Sequence, residues 1–138
     1  MHAIDVYLFR KEDLREEKIN HILDKTENTF HMKDVEEPKF IELGSGIFAT
    51  TVIPDSNEWR ENKLICHIET DYFGGFGDQS AKLFRGKKIL IDLDTRIDPV
   101  CSPINEALKM MGGVERKSGM DEFDTIGLGR YRTNEDFK

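Results

Sequence analysis

The stretch NKLICHIETDYFGGFGDQSAKLFRGKKILIDLD, residues 62–94, decides the fold. Much of it alternates between apolar and polar side chains, the period of a β-strand with one buried and one solvated face. Residues 62–73 predict one long strand. Residues 79–94 predict a second strand, a turn at Gly86 and Lys87, and a third strand. Strands joined by consecutive hairpins pair antiparallel, so this stretch predicts the centre of an antiparallel sheet.

The predicted strand 62–73 has two unlike faces because successive side chains point in opposite directions. Cys66 and His67 therefore lie on opposite faces and cannot form a thiol–imidazole pair. His67, Glu69 and Asp71 share one face, and two interpretations of this row remain open. It is either a set of metal ligands or an acid–base pair, or it is the solvated side of a strand whose other side is buried.

Three glycines and three aromatic residues crowd the segment DYFGGFGDQSA, residues 71–81. A phosphate-binding loop is excluded because Asp78 and Gln79 follow the glycines where a P-loop needs lysine and a hydroxyl residue. One remaining interpretation is a turn or bulge between strands 62–73 and 79–85, with Phe73 and Phe76 folded back over the core's edge. The other is an aromatic loop that is itself a contact surface.

The contact surface predicted from this loop and the adjoining strand is one candidate site. Aromatic side chains flanked by charge are typical of interface anchors. The predicted binding residues are Glu69, Asp71, Tyr72, Phe73, Phe76, Asp78 and Gln79.

The flanking segments add strands and two helices. Residues 2–9 alternate and are rich in β-formers, and residues 40–54 give two β-type runs split by a glycine-flanked turn at Ser45. Apolar residues recur at helical spacing over residues 13–26, after a capping box formed by Asp13 and Glu16.

The second predicted helix begins after Ser102, which can cap it, with Pro103 at its first position, and it ends at the glycine pair 112–113. The tail, residues 121–138, predicts an irregular segment or a short strand. Together these elements predict a single α+β domain over residues 1–138, an antiparallel sheet of five to six strands with two amphipathic helices packed on it.

Composition limits the classes of partner. The 138 residues carry a formal net charge of −7, which repels nucleic acid and anionic membranes and suits a basic protein partner. The N-terminal residues lack the pattern of a secretory signal, so the predicted location is the cytoplasm. Two cysteines and no pair of histidines at ligand spacing predict no structural zinc site, and no motif predicts a cofactor.

The segments ETDYFGGFGDQSA, SPINEALKMMG and DEFDTIGLGRYRTNEDF together resemble a group of short bacterial proteins. The resemblance spans about residues 64–137 and carries no established activity. Small acidic bacterial proteins of this kind include immunity partners of secreted toxins, which is an analogy and not a derivation. The most specific shared element is a YFGG-x-G-x-Q core, matched by Tyr72, Phe73, Gly74, Gly75, Gly77 and Gln79.

Three functions are compatible with these features. The first is a non-enzymatic cytoplasmic binding protein, of the immunity or antitoxin type, that covers a basic partner. The second is a small enzyme with an acidic and histidine site around His67, Glu69 and Asp71. The third is a structural subunit of a phage or secretion assembly.

Overall fold

Six antiparallel strands form one sheet in the computed structural model, which describes residues 1–14, 39–54, 57–74, 76–112, 114 and 116–137. The strand order across the sheet is β2-β3-β1-β4-β5-β6, so the first strand lies in the middle. This sheet, with helices packed on it, confirms the predicted α+β class. The strands are β1 (Asp5–Arg10), β2 (Ile41–Glu42), β3 (Ile47–Thr50), β4 (Leu64–Phe73), β5 (Phe76–Arg85) and β6 (Lys88–Asp94).

The longest hairpin joins β4 to β5, and its pairing is continuous from Leu64 opposite Arg85 to Phe73 opposite Phe76. The predicted reversal between two antiparallel strands is confirmed, but the predicted loop over residues 74–78 is too long, because only two residues separate the strands. Gly74, the first of them, has φ +60°, a left-handed conformation that glycine adopts at little cost. Gly77 belongs to the ladder opposite Tyr72 and not to the turn.

The main core lies on one face of the sheet, between the strands and helix α2 (Pro103–Met111). This core buries Val6 and Leu8 of β1 and Ile4, which directly precedes the strand. Cys66 is also buried on this face, whereas its neighbour His67 points to the other. This confirms the alternation predicted for the long strand.

A second apolar cluster covers one end of the opposite face. It consists of Phe9, Leu14, Phe48 and Ile65, all buried, with Trp59 packed against them at its border. The remainder of that face lacks such a cover among the described residues and is polar.

Helix α2 confirms the second predicted helix but corrects its cap. The side chain of Ser102 makes no cap hydrogen bond among the described residues. The backbone N of Ile104 instead donates to Oε1 of Gln79 at 3.1 Å, so a side chain from β5 caps the helix. Gly112 ends it with φ +78°, its N–H donating to the carbonyl oxygen of Leu108.

The two other predicted segments differ in outcome. The helix predicted over residues 13–26 lies outside the described residues apart from Asp13 and Leu14, which belong to a 3-10 turn, Lys11–Leu14. The tail is built from short helical pieces in place of a strand. Asp121 caps the first of them, its Oδ1 accepting from the N of Asp124 at 2.9 Å. These pieces are α3 (Glu122–Thr125) and the 3-10 turns Leu128–Arg130 and Asn134–Phe137; a further short helix, α1 (Asn57–Arg60), precedes β4.

Candidate functional site

The sheet face opposite α2 is apolar at one end, where the second apolar cluster lies, and polar at the other. The polar end is formed by β1, β4, β5 and β6. Residues directly opposite each other in an antiparallel ladder point to the same face, so the register defines its members. Asp5 pairs with Glu69, and Asp71 pairs with Asp78. We call the carboxylates on this surface the acidic face: Asp5, Glu69, Asp71, Asp78, Asp92 and Asp94.

One part of the acidic face holds an imidazole between two carboxylates. His67 Nε2 donates to Oδ1 of Asp5 at 2.5 Å and lies 3.7 Å from Oε1 of Glu69. The ring of Tyr7, opposite His67 in the ladder, stacks on the imidazole with the ring centroids 4.6 Å apart. We call Asp5, His67 and Glu69 the His67 cluster.

The His67 cluster differs from the row predicted from sequence. His67 and Glu69 do lie together, but Asp5 of a neighbouring strand completes the group in place of Asp71. Asp5 is 64 positions away from Glu69, and only the pairing of β1 with β4 brings them together. The one signal in the sequence was the alternation within residues 2–9, which gives Asp5 and Tyr7 a common face.

A polar cleft of about 140 Å³ adjoins the cluster. Glu69, Asp71 and Asp78 line it, together with Arg96 from the loop after β6. The Arg96 guanidinium binds both carboxylate oxygens of Asp94, with Nη2 2.7 Å from Oδ2. These hydrogen bonds lower the pKa of Asp94 and keep it ionised. The cleft is therefore rich in negative charge and has one cation at its border.

Phe73 and Phe76 form the tip of the β4–β5 hairpin, beyond the cleft. Their side chains are 77% and 84% exposed, so the expectation that they fold back over the core is wrong. They are the closing pair of the ladder, and the strand alternation points both rings to the face opposite the main core. Two solvated phenylalanines next to acidic side chains form an apolar point at the end of a charged surface.

Tyr72 and Gln79, two other predicted contact residues, lie on the opposite face of the same hairpin. Gln79 Nε2 donates to the hydroxyl oxygen of Tyr72 at 3.0 Å while its Oε1 accepts from Ile104. Both side chains are half-buried and attach α2 to the sheet. Gln79 still lines the cleft, although its side chain is engaged with Tyr72 and α2. The five predicted residues on the face of the cleft and the tip are Glu69, Asp71, Phe73, Phe76 and Asp78.

Comparisons with protein-family models, with curated proteins and with solved structures gave no significant match to this chain. In the part of the chain that the structure describes, no helix combines the length and the apolar character that crossing a membrane requires. The features that bear on function are therefore the acidic face, the cleft and the hairpin tip.

Proposed function

We propose that the protein is a non-enzymatic cytoplasmic binding protein that covers a basic surface of a protein partner. The observation that carries this proposal is the position of Phe73 and Phe76, which are exposed at the tip of a hairpin whose strands carry the acidic face. Exposed aromatic anchors beside complementary charge are the features from which interfaces gain affinity and association rate.

The cleft supports a basic partner more specifically. Asp71 and Asp78 are paired directly across the ladder, where like charges repel. A lysine or arginine side chain placed between them would neutralise that repulsion and be held by several carboxylate oxygens. The net charge of −7 would steer a cationic protein towards this surface. An immunity-type protein that masks a basic toxin is the most concrete form of this proposal.

Affinity capture from the host's own lysate tests the proposal when the tagged chain is compared with matched variants. The double variant Phe73→Ala/Phe76→Ala removes the tip, and Asp71→Lys reverses charge in the cleft. We expect both to lose a stoichiometric basic partner that the native chain retains at low and moderate salt.

Two control variants alter an exposed apolar side chain and an exposed carboxylate away from the site. Val100→Ala trims a side chain that is 91% exposed in the loop after β6. Glu106→Gln removes an exposed carboxylate from α2, on the other face of the sheet. Both should retain the partner. If the native chain captures no stoichiometric partner, or if the tip variant captures it equally well, the proposal is wrong.

The same variants distinguish the two other functions. A structural subunit would form a stable oligomer by light scattering, and Phe73→Ala/Phe76→Ala would dissociate it. An enzyme would use His67, which can act as an acid or a base between the carboxylates of the His67 cluster. The side chains of His67 and Asp5 are 27% and 57% exposed, and no element among the described residues covers the cluster to exclude water as an active site does. Loss of capture in Phe73→Ala/Phe76→Ala, with capture retained in His67→Gln, would assign binding to the hairpin tip and not to the His67 cluster.

A further inference from the structure

The His67 cluster combines three side chains that each offer one potential metal ligand. Its donor atoms, Oδ1 of Asp5, Nε2 of His67 and a carboxylate oxygen of Glu69, all lie within 4.8 Å of one another. We propose that Asp5, His67 and Glu69 form a binding site for a divalent transition-metal cation of the zinc type. This site shares Glu69 with the cleft, but the proposal does not rest on the partner-binding function.

The spacing of the donor atoms fits one cation after small side-chain rotations. Ligands about 2.0–2.2 Å from a tetrahedral ion lie about 3.3–3.6 Å from each other. Nε2 of His67 is 2.5 Å from the Asp5 oxygen and 3.7 Å from the Glu69 oxygen, so the first distance must open and the second changes little. The cation takes the place of the proton between Nε2 and Asp5, and that proton leaves to solvent.

The backbones that carry the ligands are already fixed by contacts that do not involve the carboxylates. The amide side chain of Asn134 holds both backbone groups of Asp5: Oδ1 accepts from the N of Asp5 at 2.7 Å, and Nδ2 donates to its carbonyl oxygen at 3.0 Å. The stacked ring of Tyr7, at an interplanar angle of 18°, restrains the imidazole of His67. Restraint of this kind lowers the entropy cost of assembling a metal site.

The donor set favours a transition metal over calcium or magnesium. Imidazole nitrogen suits zinc, copper, nickel and iron, whereas calcium takes six to eight oxygen ligands. The side chains of Asp5 and Glu69 are 57% and 43% exposed, so water can occupy the remaining coordination positions. Three protein ligands with an open fourth position is an arrangement that zinc accepts.

Titration calorimetry of the full chain with zinc chloride, under reducing conditions, is the first measurement. We expect one saturable site that Asp5→Asn, His67→Gln and Glu69→Gln each weaken at least about tenfold. Asp71→Asn is the matched control, because it removes a carboxylate from the same strand and face but outside the cluster. It should bind zinc as the native chain does. Circular dichroism of each variant verifies that it is folded.

Nitrogen-15 NMR of the histidine rings is the second measurement, because it assigns binding to one side chain. Zinc should shift the Nε2 resonance of His67 in the native chain, and the rings of the other three histidines serve as internal controls for adventitious binding. The proposal is overturned by any of three results: no saturable heat up to about 1 mM zinc, unchanged affinity in His67→Gln, or an Nε2 resonance that does not move.

Discussion

Two glycines of the β4–β5 hairpin have positive φ for different reasons. Gly74 lies in the turn with φ +60°, and a Cβ added there would meet no atom within 4 Å. Gly77 lies in the ladder with φ +155°, and an added Cβ would overlap the carbonyl oxygen of Asp71 and approach the Cα of Tyr72 to 2.7 Å. Gly74 is therefore needed only for its left-handed backbone conformation. Gly77 is needed because a side chain there would not fit between the two strands.

We expect Gly77→Ala to destabilise the protein far more than Gly74→Ala. The turn substitution should cost about 1–2 kcal/mol, the price of a left-handed conformation. The ladder substitution adds a clash with fixed backbone and should cost more than about 3 kcal/mol. Urea unfolding of both variants measures the difference. Equal losses would show that the close approach at Gly77 is absorbed by a shift of the strand.

Cys66 shows what burial does to a single ionisable group. It is fully buried in the main core, and desolvation raises the pKa of its thiol from 9.0 to about 12. An unfolded chain ionises this thiol above about pH 9, but the folded chain keeps it protonated. In that window the unfolded state has fewer bound protons, so the free energy of unfolding falls as the pH rises.

We therefore expect the native protein to lose about 1 kcal/mol more stability between pH 8.5 and pH 10 than Cys66→Ala does. The quantity compared is the change in unfolding free energy with pH, because Cys66→Ala also loses packing energy and that loss is the same at every pH. Other groups titrate equally in both proteins and cancel. Urea unfolding at the two pH values, in the presence of a reductant, provides the measurement. Parallel pH profiles would mean that the thiol is accessible to water in the folded state.

At the scale of elements, the first turn of α2 is held by a residue from the sheet. Ser102 and Pro103 correctly indicated where the helix begins, but the cap comes from Gln79 on β5, 25 positions earlier than its partner Ile104. Local patterns could predict the helix because its apolar stripe and its terminal glycine are local. They could not predict the cap, because its donor and acceptor meet only after the strand and the helix have packed.

We expect Gln79→Ala to lower the free energy of unfolding by about 1–2 kcal/mol, since it leaves the N–H of Ile104 without an acceptor. Ser102→Ala is the matched control and should change stability by less than about 0.5 kcal/mol. Thermal or urea unfolding of the two variants tests both values. If Ser102→Ala lowered the free energy of unfolding more than Gln79→Ala, the cap of α2 would be Ser102 and not Gln79.

The hairpin loop shows a second limit of local inference. The alternation in residues 62–73 correctly predicted which side chains of β4 face the core and which face solvent. The run of three glycines predicted a longer loop because glycine normally marks turns. One of the three, Gly77, serves the ladder instead, so the strands extend to Phe73 and Phe76 and place both rings in solvent.

For the whole molecule, the sheet's order decides which charges meet. β1 lies between β3 and β4, and this brings Asp5 to the His67 cluster from the far end of the sequence. The class of fold was predictable from consecutive hairpins, which are local. The composition of the cluster was not, because it depends on pairing between distant segments. Half of the candidate site could thus be predicted, namely the part contributed by β4 and its neighbour β5.

The acidic face also implies a balance between stability and binding. Asp71 and Asp78 are opposite each other at the exposed end of the hairpin, and a like-charge pair in this position destabilises a sheet. The hydroxyl of Thr95 donates to Oδ1 of Asp78 at 2.9 Å, and this hydrogen bond stabilises only one of the two carboxylates. A protein that keeps such a pair uses it for recognition under our proposal.

We expect Asp71→Lys to raise the free energy of unfolding by about 0.5–1 kcal/mol, because an attractive cross-strand pair replaces a repulsive one. The same substitution should weaken capture of the basic partner, so stability and binding change in opposite directions. Glu61→Lys is the control: it changes the net charge equally from an exposed turn before β4 and should leave both properties nearly unchanged. Urea unfolding at low and high salt measures the effect, and the gain in Asp71→Lys should shrink as salt screens the charges. A loss of stability in Asp71→Lys would mean that Asp71 and Asp78 do not repel each other in the folded protein.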